Sequence, residues 1–295
     1  MINYKIAIAS GKGGTGKTTV SLNLFYTLQK LVAQKIQLVD CDVEEPNINL
    51  FTKGDIKSVT DVNIKIPVID SDKCTYCGDC ATACAYNSIL FVKSISHIAV
   101  LEDLCHGCGA CTYVCNQPDV IVEKDKKLGE VNIYNLNNGN ELVEGKIEIG
   151  SALAVPVIAD TLKLTDNNSL RIIDAPPGTS CPVMETIKNV DYTILVTEPT
   201  PFGLNDLKLM VETMRKLSGK FGVVINRAGL GNNAIYDYLQ QEKIELLMEI
   251  PFDKNLARIY SEGKIMVNEL PAIYEKYVQL FDKVKLNLDE TNNHS

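Results

Sequence analysis

Eight of the chain's ten cysteines lie between residues 74 and 115, in two runs of identical spacing. Cys74, Cys77, Cys80 and Cys84 read C-x2-C-x2-C-x3-C, and Cys105, Cys108, Cys111 and Cys115 read the same. Adding 31 to each position of the first run gives the second, and the offset also carries Asp72 onto Asp103 and Gly78 onto Gly109. The apolar run 89–91 maps onto 120–122 in the same way. This is a duplicated unit. Thiols at such density call for disulfides or a soft metal, and the opening MINYKIAIAS lacks a secretory signal's basic head and cleavage site. Metal is therefore the stronger reading, and a cytoplasmic location the expectation.

The spacing resembles that of the bacterial two-cluster ferredoxins. That resemblance implies two [4Fe–4S] clusters, with the fourth cysteine of each run ligating the other run's cube. Cys74, Cys77, Cys80 and Cys115 would hold the first cluster, and Cys105, Cys108, Cys111 and Cys84 the second. Ala85 and Asn116 stand where that family usually has proline, with Pro118 two positions later. The departure touches a local turn and leaves the ligand count intact. A zinc module and a disulfide knot are the competing readings, but zinc favours four ligands in two pairs over two runs of four. His97 and His106 are expected to be surface neighbours of the thiolates rather than ligands.

The start of the chain carries a second strong signal. Residues 4–9 form a short apolar run followed by Gly11, Lys12, Gly13, Gly14, Thr15, Gly16, Lys17, Thr18 and Thr19. This satisfies G-x-x-x-x-G-K-[ST] in the required context of strand, loop and helix. Glycines let backbone N–H groups converge on phosphate oxygens, and the following helix points its positive end at them. Lys17 is expected to reach the β- and γ-phosphates of ATP, and Thr18 to ligate Mg²⁺.

Lys12 makes the loop resemble that of the deviant Walker-A ATPases, the MinD/ParA type that includes the nitrogenase iron protein. The resemblance implies that Lys12 crosses the interface of an ATP-bound homodimer to the partner's nucleotide. The run 36–40 ends in Asp40, Cys41 and Asp42 and continues to Pro46 and Asn47, which resembles the family's switch I. Asp42 stands at the position that orients or activates the attacking water. The run 170–174 ends in Asp174 and leads to Gly178, resembling the Walker-B aspartate and switch II. Asp40 and Asp174 would join Thr18 around Mg²⁺, and Gly178 would offer its N–H to the γ-phosphate. Asn226 resembles the adenine-contacting asparagine, with Pro251, Phe252 and Asp253 lining the base from the other side. Cys181, just past switch II, and Cys41 are expected to be small buried residues.

Helices are expected at about 17–33, 203–218, 232–243, 253–262 and 270–285, with a further one over 151–165 starting near Pro156. A hairpin is expected over 129–149, turning at Asn137, Asn138 and Gly139. Strands and helices alternate, so the fold class is α/β: a mostly parallel P-loop NTPase sheet with helices on both faces. A two-cluster ferredoxin-like α+β module interrupts it. Residues 1–56 and 151–295 are assigned to the ATPase domain and 57–150 to the insert, a placement that costs little loop entropy. The last ten residues read as a frayed tail.

Composition narrows the function. With 45% apolar residues the 295-residue chain can build a sizeable core, and its net charge of −8 argues against nucleic-acid binding. No apolar run is long enough to span a membrane. The helix at 270–285 has one apolar face, Ile273, Tyr277, Leu280, Phe281 and Val284, without the basic cluster of a membrane anchor. The leading expectation is an ATPase that gates electron transfer through two clusters to an unidentified redox partner. The alternatives are a cluster assembly carrier serving an acceptor protein, and a partner-positioning ATPase with structural clusters. No cysteine follows Cys181, so a C-terminal C-x2-C of the carrier type is missing.

Overall fold

The computed structural model describes residues 3–292. In chain order its elements are β1 (Lys5–Ala9), α1 (Lys17–Leu31), β2 (Ile36–Asp40), α2 (Asn49–Thr52), β3 (Asp55–Ile69), α3 (Asp79–Ala83), β4 (Ile89–Val92) and β5 (His97–Val100). Then come α4 (Ala110–Val114), β6 (Ile121–Asn135), β7 (Glu141–Ile147), α5 (Ala154–Lys163), β8 (Leu170–Asp174), α6 (Cys181–Ile187) and β9 (Tyr192–Thr197). The chain finishes with α7 (Pro201–Lys216), β10 (Phe221–Ala228), α8 (Ala234–Gln241), β11 (Leu246–Pro251), α9 (Lys254–Ser261), α10 (Met266–Glu269) and α11 (Pro271–Asn292).

Two compact units result. The first holds the chain up to Val59, Val131–Lys146, and everything from Ile158 onward; the second holds Thr60–Glu130 and Ile147–Val157. Residues 131–146, given to the insert by the sequence reading, thus cluster with the ATPase portion. The reason is pairing. The hairpin turn does form at Asn138 and Gly139, both at positive φ, but β7 runs parallel to β2, with Gln37 opposite Glu141 and Asp40 opposite Glu144. The strand is captured by the main sheet.

That sheet has nine strands in the order β11-β10-β9-β1-β8-β2-β7-β6-β3. Its central strands β2, β8, β1, β9 and β10 are mutually parallel. The first four are buried almost throughout and β10 over its central run 222–225, as continuous apolar runs covered on both faces must be. Alternation splits their side chains. Ile6, Ile8, Leu38, Ile172 and Ile194 share one cluster with α1 and α11. Ala7, Ile173 and Leu195 point to the opposite face, where Leu195 meets Leu207 and Met210 of α7 and Ile173 meets Ala159 and Leu162 of α5.

The terminal helix is a core element. Ile273, Tyr277, Leu280, Phe281 and Val284 are all buried, and they belong to the same cluster as Leu22, Phe25 and Leu28 of α1. The helix also runs further than expected: α11 continues to Asn292 and buries Leu288. Most of the expected tail is therefore helical, and 293–295 lie outside the described residues. Among the described residues, no helix is long and apolar enough to cross a membrane.

The second unit reproduces the sequence duplication in three dimensions. Each cysteine run bends at two left-handed residues: Tyr76 (φ 52°) and Gly78 (φ 88°) in the first, Gly107 (φ 66°) and Gly109 (φ 72°) in the second. Gly78 and Gly109 then cap the five-residue helices α3 and α4. Strands β4 and β5 form an antiparallel pair with Ile89 opposite Val100. Ile89, Ile98, Val120 and Ile121 close a small core around Cys80 and Cys111.

Because Leu280 is fully buried between α11 and its neighbours, Leu280→Ala should lower the stability of the ATPase unit by about 2–5 kcal/mol. Urea denaturation of purified variant and parent checks it. A loss below about 0.5 kcal/mol, the range of exposed positions, would refute a core role for α11.

Candidate functional site

The first unit opens a cleft of about 490 Å³ at the C-terminal edge of its sheet, where open α/β sheets bind ligands. Of the residues singled out from sequence, Gly13, Gly14, Gly16, Lys17, Thr18, Thr19, Asp42, Asn226, Pro251 and Asp253 line it. Gly11, Lys12, Thr15, Asp40, Asp174 and Gly178 do not. The loop's glycines fit an anion. A Cβ on Gly13 or Gly14 would meet no atom within 4 Å on the protein side, and Gly14 and Gly16 take positive φ. Gly16 is crowded by the Asn226 amide, which donates to the Thr15 carbonyl at 2.8 Å. Asn226 thus braces the phosphate loop from β10.

Lys17, the first residue of α1, is buried. Next to it, the Thr18 hydroxyl donates to Asp174 Oδ2 at 2.7 Å and the Ser21 hydroxyl to Asp174 Oδ1 at 2.9 Å. Two of the side chains expected around Mg²⁺ are therefore already in contact. Asp40, the third, is put to different use. Its carboxylate accepts the backbone N–H of Asp42 (3.1 Å), Asn47 (3.1 Å) and Ile48 (3.2 Å), so it folds the switch I loop and has no face on the cleft. Asp40 and Asp174 are register partners on adjacent strands. Burial above all, with Asp174 close by, holds the Asp40 carboxyl well above the usual range. Asp174 is also raised by burial, with Lys17, Thr18 and Ser21 pulling it back down.

Asp42 differs in that it faces the cleft. Burial is the largest influence on it, opposed by Lys17 and reinforced by Asp174, Glu45 and Glu44; its pKa is pushed up to about 6. A carboxyl poised there exchanges protons near neutral pH, as a group that orients or deprotonates water must. Gly178 donates its N–H to the Ser10 carbonyl at 3.0 Å, so here switch II is fastened to β1 rather than offered to a phosphate. Asp253 caps α9 by accepting the Asn255 N–H at 2.6 Å.

Phe252, expected with its two neighbours to line a base, is in the cleft and 54% exposed. Other residues of the site escaped the sequence reading. Tyr260 also lines the cleft, hydrogen-bonded to Thr19 and packed on Phe51 with ring centroids 5.0 Å apart. Behind the cleft lining, buried Glu198 holds the cleft residue Arg227 at 2.8 Å and stands 3.9 Å from Lys12. Only adjacency to Asn226 could have flagged Arg227. Nothing in the sequence pairs Glu198 with Lys12.

In the second unit, Cys84, Cys105, Cys108 and Cys111 line one small enclosed cavity, together with Ser88, His106 and Tyr86. This is the donor set that crosses between the two runs. Cys74 and Cys115 pack on the core that contains Cys80, and Cys74 and Cys77 act electrostatically on Cys80. Exposure repeats with the sequence: Cys77 and Cys108 are exposed, Cys80 and Cys111 buried. Burial pushes the thiols of Cys80 and Cys111 up. At Cys84 burial is outweighed by Ser88, whose N–H donates to the sulfur at 3.3 Å and whose hydroxyl stands 3.1 Å away. Among the described residues, no three acidic, histidine or cysteine side chains are grouped so as to hold a single metal ion. His106 stacks on Tyr86 at 3.7 Å between centroids. Of the remaining two cysteines, Cys41 is buried, its pKa raised chiefly by burial, whereas Cys181 is exposed at the start of α6. The expectation that both are buried holds only for Cys41.

Comparisons with known proteins agree with the cleft. A family model described as the CobQ/CobB/MinD/ParA nucleotide binding domain matches residues 6–267. An uncharacterized protein of Methanocaldococcus jannaschii is 34% identical over 262 residues, 88% of this chain and 90% of its own length. The cytosolic Fe-S cluster assembly factor NUBP2 homolog of Culex quinquefasciatus is 26% identical over 294 residues, covering 92% of this chain and 91% of its own. Among solved structures, the septum site-determining protein MinD from Pyrococcus horikoshii, complexed with Mg-ADP, shares the fold with a TM-score of 0.58 at 20% identity, over 96% of each chain.

The raised pKa of Asp42 gives a pH dependence with a definite sign. A role that needs the carboxylate is lost as pH falls through about 6. Between pH 7 and pH 5 the ionised fraction drops about tenfold, so kcat/KM for ATP hydrolysis, which reports the free enzyme, should drop about tenfold too. Steady-state kinetics across that range check it, with Asp42→Asn as the control: slow, and flat with pH. An unchanged pH profile in the variant would remove Asp42 from the reaction.

Proposed function

The chain belongs to the CobQ/CobB/MinD/ParA family of nucleotide-binding domains, and from that membership we propose that it is an ATP-dependent dimer whose hydrolysis gates electron transfer through two resident clusters. It is a P-loop ATPase of the MinD/ParA type, related along most of its length to a protein named for iron–sulfur cluster assembly. In this reading Lys17 and the loop N–H groups bind the phosphates, and Thr18 and Asp174 hold Mg²⁺. Asp42 orients the water that attacks the γ-phosphate. Lys12, held near Glu198 in the single chain, exchanges that partner for the nucleotide of a second protomer. Asn226, Pro251 and Asp253 frame the base.

The observation that carries the redox part is the cavity that brings Cys84 together with Cys105, Cys108 and Cys111. Four thiols from two separate runs around one enclosed space suit a firmly held cluster, and the apolar contacts of Cys80 and Cys111 suit a second. Bound there, [4Fe–4S] clusters supply one-electron carriers. The chain's own part is to shield them and to aim donors such as Ser88 N–H at their sulfurs, which sets the potential. The ferredoxin-like module in this proposal is the second unit. A cluster-assembly role is the second reading, favoured by the similarity to the Culex assembly factor. Transfer to an apo-acceptor separates them: an electron carrier keeps its iron, a cluster carrier surrenders it.

Anaerobically purified protein is expected to contain about eight iron atoms per chain. Cys84→Ala and Cys108→Ala should abolish the same EPR signal of the reduced protein, and Cys80→Ala the other. Stoichiometric zinc, or loss of different signals in Cys84→Ala and Cys108→Ala, would refute the crossed ligation.

Lys12→Ala should bind ATP nearly as the parent does yet fail to dimerise with it. Light scattering in the presence of a slowly hydrolysed ATP analogue reads the mass directly. A parent protein that stays monomeric under these conditions would overturn the dimer.

A further inference from the structure

A second concave site lies in the first unit at the opposite end of the sheet from the nucleotide cleft. It is a pocket of about 270 Å³ between α5 and α6, floored by the first residues of β1 and β8. Its charge is unusual for a chain of net charge −8. Lys5, Lys163, Arg171 and Lys188 line it, against the single carboxylate of Glu185. Lys5 and Arg171 are register partners on adjacent parallel strands, so two cations stand abreast, a juxtaposition that costs stability.

Arg171 is the anomaly. It is only 4% exposed, yet among the described residues it has no carboxylate partner within ion-pair distance. One terminal nitrogen donates to Asn167 Oδ1 at 2.9 Å and weakly to Thr165 Oγ1 at 3.4 Å, and its Nε has no hydrogen-bond partner. Two carboxylates attract it from beyond ion-pair distance, and each has another partner. Asp191 accepts the backbone N–H of Lys5 at 2.7 Å, and Asp166 pairs with Lys35 at 3.4 Å. Glu185 is taken by Lys188 at 2.6 Å. A buried guanidinium whose counter-charges, Asp191 and Asp166, act on it only from beyond ion-pair distance is expensive to fold around, and guanidinium forks match oxyanions in geometry.

We propose that this pocket binds a small phosphomonoester, its phosphate set between Arg171, Lys5 and Lys163. Of the four cations in the lining only Lys188 is paired there, with Glu185, and Asp191 and Asp166 act from further off. Arg171, Lys5 and Lys163 therefore leave a positive site that suits an anion. The pocket exceeds a bare phosphate, and Ala159, Leu162 and Ile173 offer its remainder an apolar wall. The site is separate from the nucleotide cleft in both residues and position, so it stands whether or not the redox reading above does.

Calorimetric titration of the intact chain saturated with Mg-ADP tests it, with glycerol 3-phosphate, inorganic phosphate and malonate as separate probes. One glycerol 3-phosphate should bind per chain, with inorganic phosphate equal or weaker and malonate at least tenfold weaker. Arg171→Gln should weaken glycerol 3-phosphate at least tenfold. Because a buried position can fail to fold, Lys163→Glu at an exposed position of α5 should do the same in a chain with unchanged circular dichroism. No binding of either phosphate probe, malonate binding as tightly as they do, or parental affinity in Lys163→Glu would overturn the site.

Discussion

Two carboxylates that sit side by side in the dry interior organise the nucleotide-binding unit. Asp40 and Asp174 end neighbouring parallel strands in exact register partnership, each essentially without solvent. Burying one ionisable group is costly, and burying two like ones together is worse, unless each is surrounded by donors. The chain supplies them in two ways. Asp174 takes hydroxyls from the first turns of α1, while Asp40 takes three backbone N–H groups from the loop that follows it. One carboxylate therefore ties the phosphate loop to the sheet, and the other gives switch I its shape. Asp42 faces the cleft because the Asp40 side chain has already fixed the backbone around it.

The cysteine module depends on a different constraint, backbone handedness. A C-x2-C-x2-C run must turn tightly enough to bring three sulfurs to one side, which demands left-handed residues at fixed places. Both runs have them at the same two repeat positions, 76 and 78 in one and 107 and 109 in the other. Three of those four are glycines and one is Tyr76. Gly107 cannot easily be anything larger, since a Cβ there would stand 3.0 Å from the Lys65 carbonyl oxygen. The tight approach of β3 to the second run thus rests on a missing methyl group. Tyr76, free of that approach, carries a ring that joins the core around Cys74 and Cys80.

What the sequence made legible followed from strong local signals. Buried parallel strands are uninterrupted apolar runs, so β1, β2, β8, β9 and β10 could be placed, and each site residue at a strand's end came with them. The apolar stripe of α11 identified it as a packing helix, though its last turns, where Leu288 still packs, were read as frayed. The strand β3 was missed. Its first seven residues are exposed on both faces and show no period of two, and Pro67 interrupts the part that does alternate. The boundary of the insert was misplaced for a related reason. The Asn-Gly turn announces a hairpin but says nothing about which sheet its second strand will join. Long-range pairings left no trace at all. Glu198 gathers Lys12 and Arg227 from two distant loops, and only the fold brings them together.

Strand β8 shows why buried charge is the most informative feature of this molecule. It is five residues long and solvent reaches almost none of it, yet its second residue is Arg171 and its last is Asp174. Alternation sends the two side chains to opposite faces of the sheet. Each would be replaced at no loss of packing by an aliphatic residue if stability alone decided the sequence. Asp174 has an evident reason to persist, since the hydroxyls of Thr18 and Ser21 converge on it where a nucleotide's metal would lie. Among the described residues Arg171 has no comparable partner: its bonds are to one amide and one hydroxyl, and its Nε has none. The two ends of the strand differ in how far their charges are answered from within. An incomplete answer at a buried group points outward, to something the chain meets.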